Sequence, residues 1–151
     1  MKALLIKKTK EISVSSAIKE YVRFDFVEVD INGLDDMQKA VEGDIESWDY
    51  IPELYKNGIV LYCNDEGKLL NKFPAVIVVS KKTGNPAETK TIEQLCGNIL
   101  LCGYDFEADR SVSLTESQME IIHRVFKKAF YYTDKLNIDG YAVELEVEDD
   151  A

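Results

Sequence analysis

Nucleophilic catalysis needs a thiol, hydroxyl or carboxylate with a base within hydrogen-bond reach. This chain offers one histidine, His123, and three cysteines, Cys63, Cys96 and Cys102. His123 falls beside Ile122 in a helical pattern, where a histidine bonds a neighbour or water. The cysteines lie in apolar runs without C-x-x-C spacing, so they read as reduced core thiols and not as part of a dyad or a metal cage. Asp105, Glu107 and Asp109 have the i, i+2, i+4 spacing of the first ligands of a calcium loop. The glycine and the closing glutamate of such a loop are absent, so the spacing predicts a solvated acidic loop. Gly97-Asn-Ile and Gly103-Tyr make no phosphate cradle, since no helix start follows them. No catalytic residue, metal site or cofactor is expected from these residue types.

Aromatic side chains carry more. Trp48, Tyr50, Tyr55 and Tyr62 gather around the middle of the chain, and Tyr104, Asp105 and Glu107 follow a strand end. Aromatic walls with a few acidic groups can hold a planar ligand or anchor a protein interface, although core packing would use the same aromatics. Phe130, Tyr131 and Tyr132 are too many aromatics for one helical stripe, which predicts an interface and a homodimer.

The elements that must position these residues begin with a short helix at about 34–42. Leu34, Met37 and Val41 share one face, Asp35 and Asp36 fall in the first turn, and Gly43 follows as a left-handed stop. Before it, Phe24–Ile31 alternates as a half-covered strand, and Ala3–Ile6 makes a first strand. Lys7–Glu11 reads as a polar turn and Ser16–Arg23 as a helical insertion. Asn64-Asp-Glu-Gly67 is a hairpin turn, with Gly67 supplying a positive φ. Ala75–Val79 is a buried strand, Lys81–Lys90 a surface loop, and Gly97–Gly103 a central strand covered on both faces. Ser113 with Glu116 suggests a capping box before a long helix at about 114–135. Asp139-Gly140 is a turn, and Tyr141–Val147 closes as a strand. The whole predicts one α+β domain over residues 1–147, a mixed or mostly antiparallel sheet with both helices packed on it, and a frayed acidic end at 148–151.

With 28 acidic against 18 basic residues, the net charge of −10 argues against a duplex nucleic-acid binder and fits a cationic partner better, while simple solubility explains the same charge. No apolar run suits a membrane span or a signal core, and the free thiols suit a cytoplasmic location.

Met37-Gln-Lys-Ala-Val-Glu-Gly-Asp-Ile-Glu46, Asn64-Asp-Glu-Gly-Lys68 and Gly97-Asn-Ile-Leu-Leu-Cys-Gly103 occur in this order. Together they resemble the family called domain of unknown function 3846. This chain has Glu42-Gly43 where the family pattern has paired glycines, and keeps only Phe73-Pro74 of the segment after the middle motif. The resemblance covers roughly residues 1–120 and implies a bacterial, plasmid or phage context without an assigned reaction. The leading expectation is a non-enzymatic binding protein of a phage or mobile element, in a counter-defence role. It would sequester a host protein with a basic surface or a small nucleotide signal. The alternatives are an enzyme with a carboxylate-based site at Asp105 and Glu107, or a structural subunit without a ligand.

Overall fold

The computed structural model describes residues 1–14, 19–68, 73–82, 85–132 and 136–147. Its elements in chain order are β1 (Lys2–Val14), β2 (Lys19–Asp30), α1 (Leu34–Val41), β3 (Ile45–Ser47), α2 (Pro52–Tyr55), β4 (Ile59–Asn64), β5 (Pro74–Lys82), β6 (Asn85–Cys96), β7 (Ile99–Asp105), β8 (Arg110–Val112), α3 (Glu116–Val125), β9 (Lys127–Tyr132) and β10 (Leu136–Val147).

One curled sheet runs β3-β4-β7-β1-β2-β10-β5-β6, with β8 added to β7 and β9 to β10. Alternation along each strand separates two cores. Leu4, Ile6, Ile99, Leu101, Ile59 and Leu61 face the larger one, with Ile51 and Leu54 of α2 and its approach and Ile122 and Phe126 of α3 and its cap. Ala3, Leu5, Leu100 and Cys102 face the smaller one, closed by Met37 and Val41 of α1. Ile99–Cys102 is therefore fully buried on both sides, as the run of apolar residues predicts for a central strand.

The expected α+β packing is wrong. The chain is mostly strand with short helices. The predicted helix at 114–135 ends at Val125, because Phe126 turns extended (φ −94°, ψ 103°) and Lys127–Tyr132 pairs antiparallel with β10. Packing outweighs the helical spacing there: Lys128 Nζ reaches Phe24 O at 2.8 Å, and Tyr131 Oη donates to Pro74 O at 2.5 Å. The capping box is Thr115 with Gln118, which bond each other's backbone N–H at 3.1 and 3.0 Å.

Other local readings fail for the same reason, that distant strands capture the segment. Lys7–Glu11 continues β1 against β2, and Asn85–Lys90 belongs to β6. β4 pairs with β3 and β7, while residues 69–72, after the expected hairpin turn, lie outside the described residues. Asp139-Gly140 lies inside β10, which runs parallel to β2 up to Asp139 and parallel to β5 from Tyr141. Gly140 sits at that handover, where a Cβ would come within 2.6 Å of Ala75 O. Within the expected insertion, residues 19–23 are strand, while residues 15–18 and the end at 148–151 lie outside the described residues.

Candidate functional site

The three sequence motifs converge on the C-terminus of α1, where the last carbonyls of a helix lack intrahelical partners. Asn64 Nδ2 donates to Val41 O at 3.1 Å and Glu42 O at 3.0 Å, while its Oδ1 accepts from Glu66 N at 2.8 Å. Asn98 Nδ2 donates to Ala40 O at 3.1 Å, and its Oδ1 accepts from Lys8 N at 3.1 Å. Both asparagines are buried. The left-handed stop is Glu42 (φ 61°) and not Gly43. Gly43 is required for a different reason: a Cβ there would lie 2.4 Å from Asn64 Nδ2. Gly67 likewise lacks the expected positive φ and instead lets Cys96 O approach to 2.6 Å of where its Cβ would be. This cluster is a clamp, with its polar atoms used up internally.

A different surface opens where the sheet curls back on itself. The two ends of the strand order, β3 and β6, face each other across a seam. At its narrow end Lys68 pairs with Glu93 beside Cys63, Asn64 and Cys96, in a cavity of about 140 Å³. Next comes a cavity of about 560 Å³ between Glu46, Ser47, Trp48 and Tyr50 on one side and Ile92 and Glu93 on the other, floored by Leu145. Sharing Tyr50 and Leu145, a third of about 490 Å³ continues past Ile51, Pro52, Val125 and Val143 to Arg124 and Lys127. Trp48 and Tyr50 pack ring to ring at 5.1 Å between centroids, tilted by 58°. Trp48 is half-buried against the main core, and Tyr50 is 69% exposed.

The expected aromatic group divides. Trp48 and Tyr50 form the middle of the seam. Tyr62 faces the smaller core on the opposite side of the sheet and is hydrogen-bonded to Ser111 Oγ at 3.0 Å; burial pushes its phenol up. Tyr55 lies on α2, partly exposed, and lines none of the three cavities. Tyr104 packs edge-on against Phe106 at 5.1 Å at the β7–β8 turn and bonds Asp109, which raises its phenol to about 12. Asp105 Oδ1 is taken by Glu107 N at 3.0 Å and Ala108 N at 3.2 Å. These carboxylates shape a turn, and no group of three or more metal-ligating side chains gathers among the described residues. Tyr131 is turned inward with its phenol pushed up by burial, so only Phe130 and Tyr132 of the expected interface are exposed, on β9.

His123 packs edge-on against Phe26 at 4.8 Å. Burial pushes the thiols of Cys63 and Cys102 up to about 12, far from thiolate chemistry at neutral pH. Sequence reasoning missed Lys68, Ile92, Glu93 and Leu145. The one local signal was Ile92 among polar neighbours, an exposed β-branched residue in a strand-forming context.

Residues 1–128 match the model of a family described as a domain of unknown function, number 3846. No curated protein and no solved structure matches the chain. No helix among the described residues is long and apolar enough to cross a membrane.

Proposed function

We propose that this chain, which belongs to the domain of unknown function 3846 family, is a non-enzymatic binding protein whose working surface is the Trp48–Tyr50 seam. The observation that supports it is a concave, partly apolar channel with a tilted aromatic pair at its centre and, among the described residues, no converging catalytic groups beside it. Such channels hold ligands by burying apolar surface and orient them with a few polar groups. The walls are mainly acidic: Glu46, Asp65, Glu93, Glu53 and Glu144 against Lys68, Arg124 and Lys127. Lys68 is already paired with Glu93, and Arg124 with Glu53 at 3.3 Å. Together with the net charge of −10, this favours a partner protein with a basic segment.

In the mobile-element context that the sequence resemblance implies, the role is sequestration of a host component inside the bacterial cell. The test is capture from bacterial extract with the full chain and with a Trp48→Ala/Tyr50→Ala variant, at low and high salt. A partner retained by the first, lost by the second and weakened by salt is the expected result. Equal capture by both chains would remove the seam from the function. Arg124 and Lys127 at the far end favour a second reading, a small nucleotide with its base on the aromatic pair. Incubation with nucleotides followed by mass analysis separates uptake from turnover, and an altered product would end the binding-only reading.

A further inference from the structure

We infer that the seam receives one extended segment of a partner polypeptide, added as a strand between β3 and β6 and carrying Lys or Arg where it passes Glu46 and Glu93. The inference rests on the seam being the binding surface and adds how the partner is held.

The backbone of β3 supplies the first half. Asp65 N donates to Asp44 O at 3.0 Å and Trp48 N donates to Leu61 O at 3.0 Å, in register with the pairs Ile45↔Asn64, Glu46↔Cys63 and Ser47↔Tyr62. Bonded residues alternate in an antiparallel ladder, so Asp44, Glu46 and Trp48 face β4. Ile45 and Ser47 then turn their N–H and C=O groups to the open side, as an edge strand does.

Across the seam, Gln94 N–H meets no further strand among the described residues. It donates to Glu93 Oε1 at 2.9 Å, and the same oxygen takes Lys68 Nζ. The carboxylate stands where the carbonyl of a neighbouring strand would stand. Both edges therefore end in unmatched ladder positions, one open and one closed by a side chain that an incoming carbonyl can replace.

The side chains set the sequence of the occupant. Glu46 lies opposite Cys63, whose Sγ is 3.8 Å from Glu46 Oε1, and Glu93 lies opposite Val78. Cys63 and Val78 both belong to the core inside the curl, so the two carboxylates point to the same face of the seam. A strand between them turns every second side chain to that face: a cation beside Glu46 and Glu93, and two residues on an apolar side chain against Trp48 and Leu145, which pack on the same core. The close approach of Gly67 to Cys96 O pinches one end, so the strand enters from the Tyr50 side. A second copy of this chain is disfavoured by like charge, since its own seam edges carry Glu46 and Glu93.

Trp48 is the only tryptophan, so its fluorescence reports the seam directly. The probe is an acetylated, amidated heptapeptide in which threonine alternates with lysine, valine and lysine, so that the lysines and the valine share one face, titrated into the full chain to about 1 mM. It is compared with a version N-methylated on alternate residues and with one carrying glutamate for lysine. Amide hydrogen exchange is followed at Ile45–Trp48 and Ile92–Gln94. The expected result is saturable binding with slowed exchange on both edges, at least tenfold weaker (about 1.4 kcal/mol) for the N-methylated and glutamate peptides. Equal binding of the N-methylated peptide, or protection of only one edge, would overturn strand addition and leave the seam as a side-chain groove. No response to any peptide would also overturn strand addition, while the capture experiment with Trp48→Ala/Tyr50→Ala decides the binding surface independently. Edge protection that grows with protein concentration alone would assign the seam to a second copy instead.

Discussion

The clamp at the end of α1 and the seam between β3 and β6 lie at opposite extremes of the same fold. In the clamp, both asparagine side chains use donor and acceptor together, and Gly43 is the residue that lets Asn64 close on the helix. In the seam, β3 leaves ladder positions open, β6 closes one of its own with a carboxylate, and Tyr50 and Ile92 stay largely in water. A protein that satisfies its buried polar atoms so completely in one place has reason for leaving edges and aromatics unmatched in another. The motifs by which this chain resembles its family hold the scaffold. The surface able to engage another molecule lies largely beside them.

The largest effects should come from breaking the clamp. Asn64→Ala removes three hydrogen bonds and leaves the buried carbonyl of Val41, and the half-buried one of Glu42, without that partner. A loss of about 3 kcal/mol in unfolding free energy is expected, read as a lower denaturant midpoint at unchanged slope. Gly43→Ala should cost about 2 kcal/mol, because the new methyl collides with the Asn64 amide and not with a mobile chain end. The two changes act on one contact, so the double variant should lose clearly less than their sum. Strict additivity would mean that Gly43 and Asn64 are not parts of one device.

The elements that carry the clamp are legible in the sequence, its asparagine bonds are not, and little of the seam is. Met37 and Val41 at helical spacing, and four apolar residues from Ile99 to Cys102, identify α1 and the central strand because both depend on local periodicity. The place of Gly43 after the helix predicts a left-handed stop, whereas the left-handed residue is Glu42 and the constraint on Gly43 is Asn64. The expected helix at about 114–135 fails after Val125 because Lys127–Tyr132 satisfies two periods at once. Only its pairing with β10 decides between them. The seam exists because the two ends of a long strand order meet, which brings Trp48, Ile92 and Leu145 together from distant parts of the chain. Nothing in the spacing of Trp48, Tyr50, Tyr55 and Tyr62 separates those that share it from those that do not.

Intermediate in size is the contrast between stability and binding in the seam itself. Tyr50→Ala removes a ring that is 69% exposed and touches chiefly Trp48. Its unfolding free energy should change by no more than about 0.5 kcal/mol. Partner capture should nevertheless fall sharply, since aromatic side chains at the centre of an interface carry much of its energy. A Tyr50→Ala chain that loses stability as Asn64→Ala does would make the aromatic pair a packing element, and the contrast between the two regions would collapse.

The smallest effect tests how loosely the β6 edge is closed. The hydrogen bond from Lys68 holds the Glu93 carboxyl below its ordinary value of 4.5, against the opposing effect of burial. The same bond holds the Lys68 ammonium above its ordinary 10.5. A carboxylate lowered by folding stabilises the fold fully above its ordinary range, and that contribution disappears as pH falls through the folded value. A lysine raised by folding stabilises below its ordinary range, and its contribution disappears as pH rises through the folded value. The pair therefore acts in the window between those two limits, and with the Lys68 end exposed and Glu93 only partly covered it is worth at most about 1 kcal/mol. Glu93→Gln keeps an acceptor for Gln94 N–H but removes the charge. Its stability should match that of the native chain in acid and fall slightly below it at neutral pH, with the difference shrinking in high salt. A neutral-pH loss as large as that of Asn64→Ala would mean that β6 is locked as firmly as α1, and an incoming strand could not displace the carboxylate.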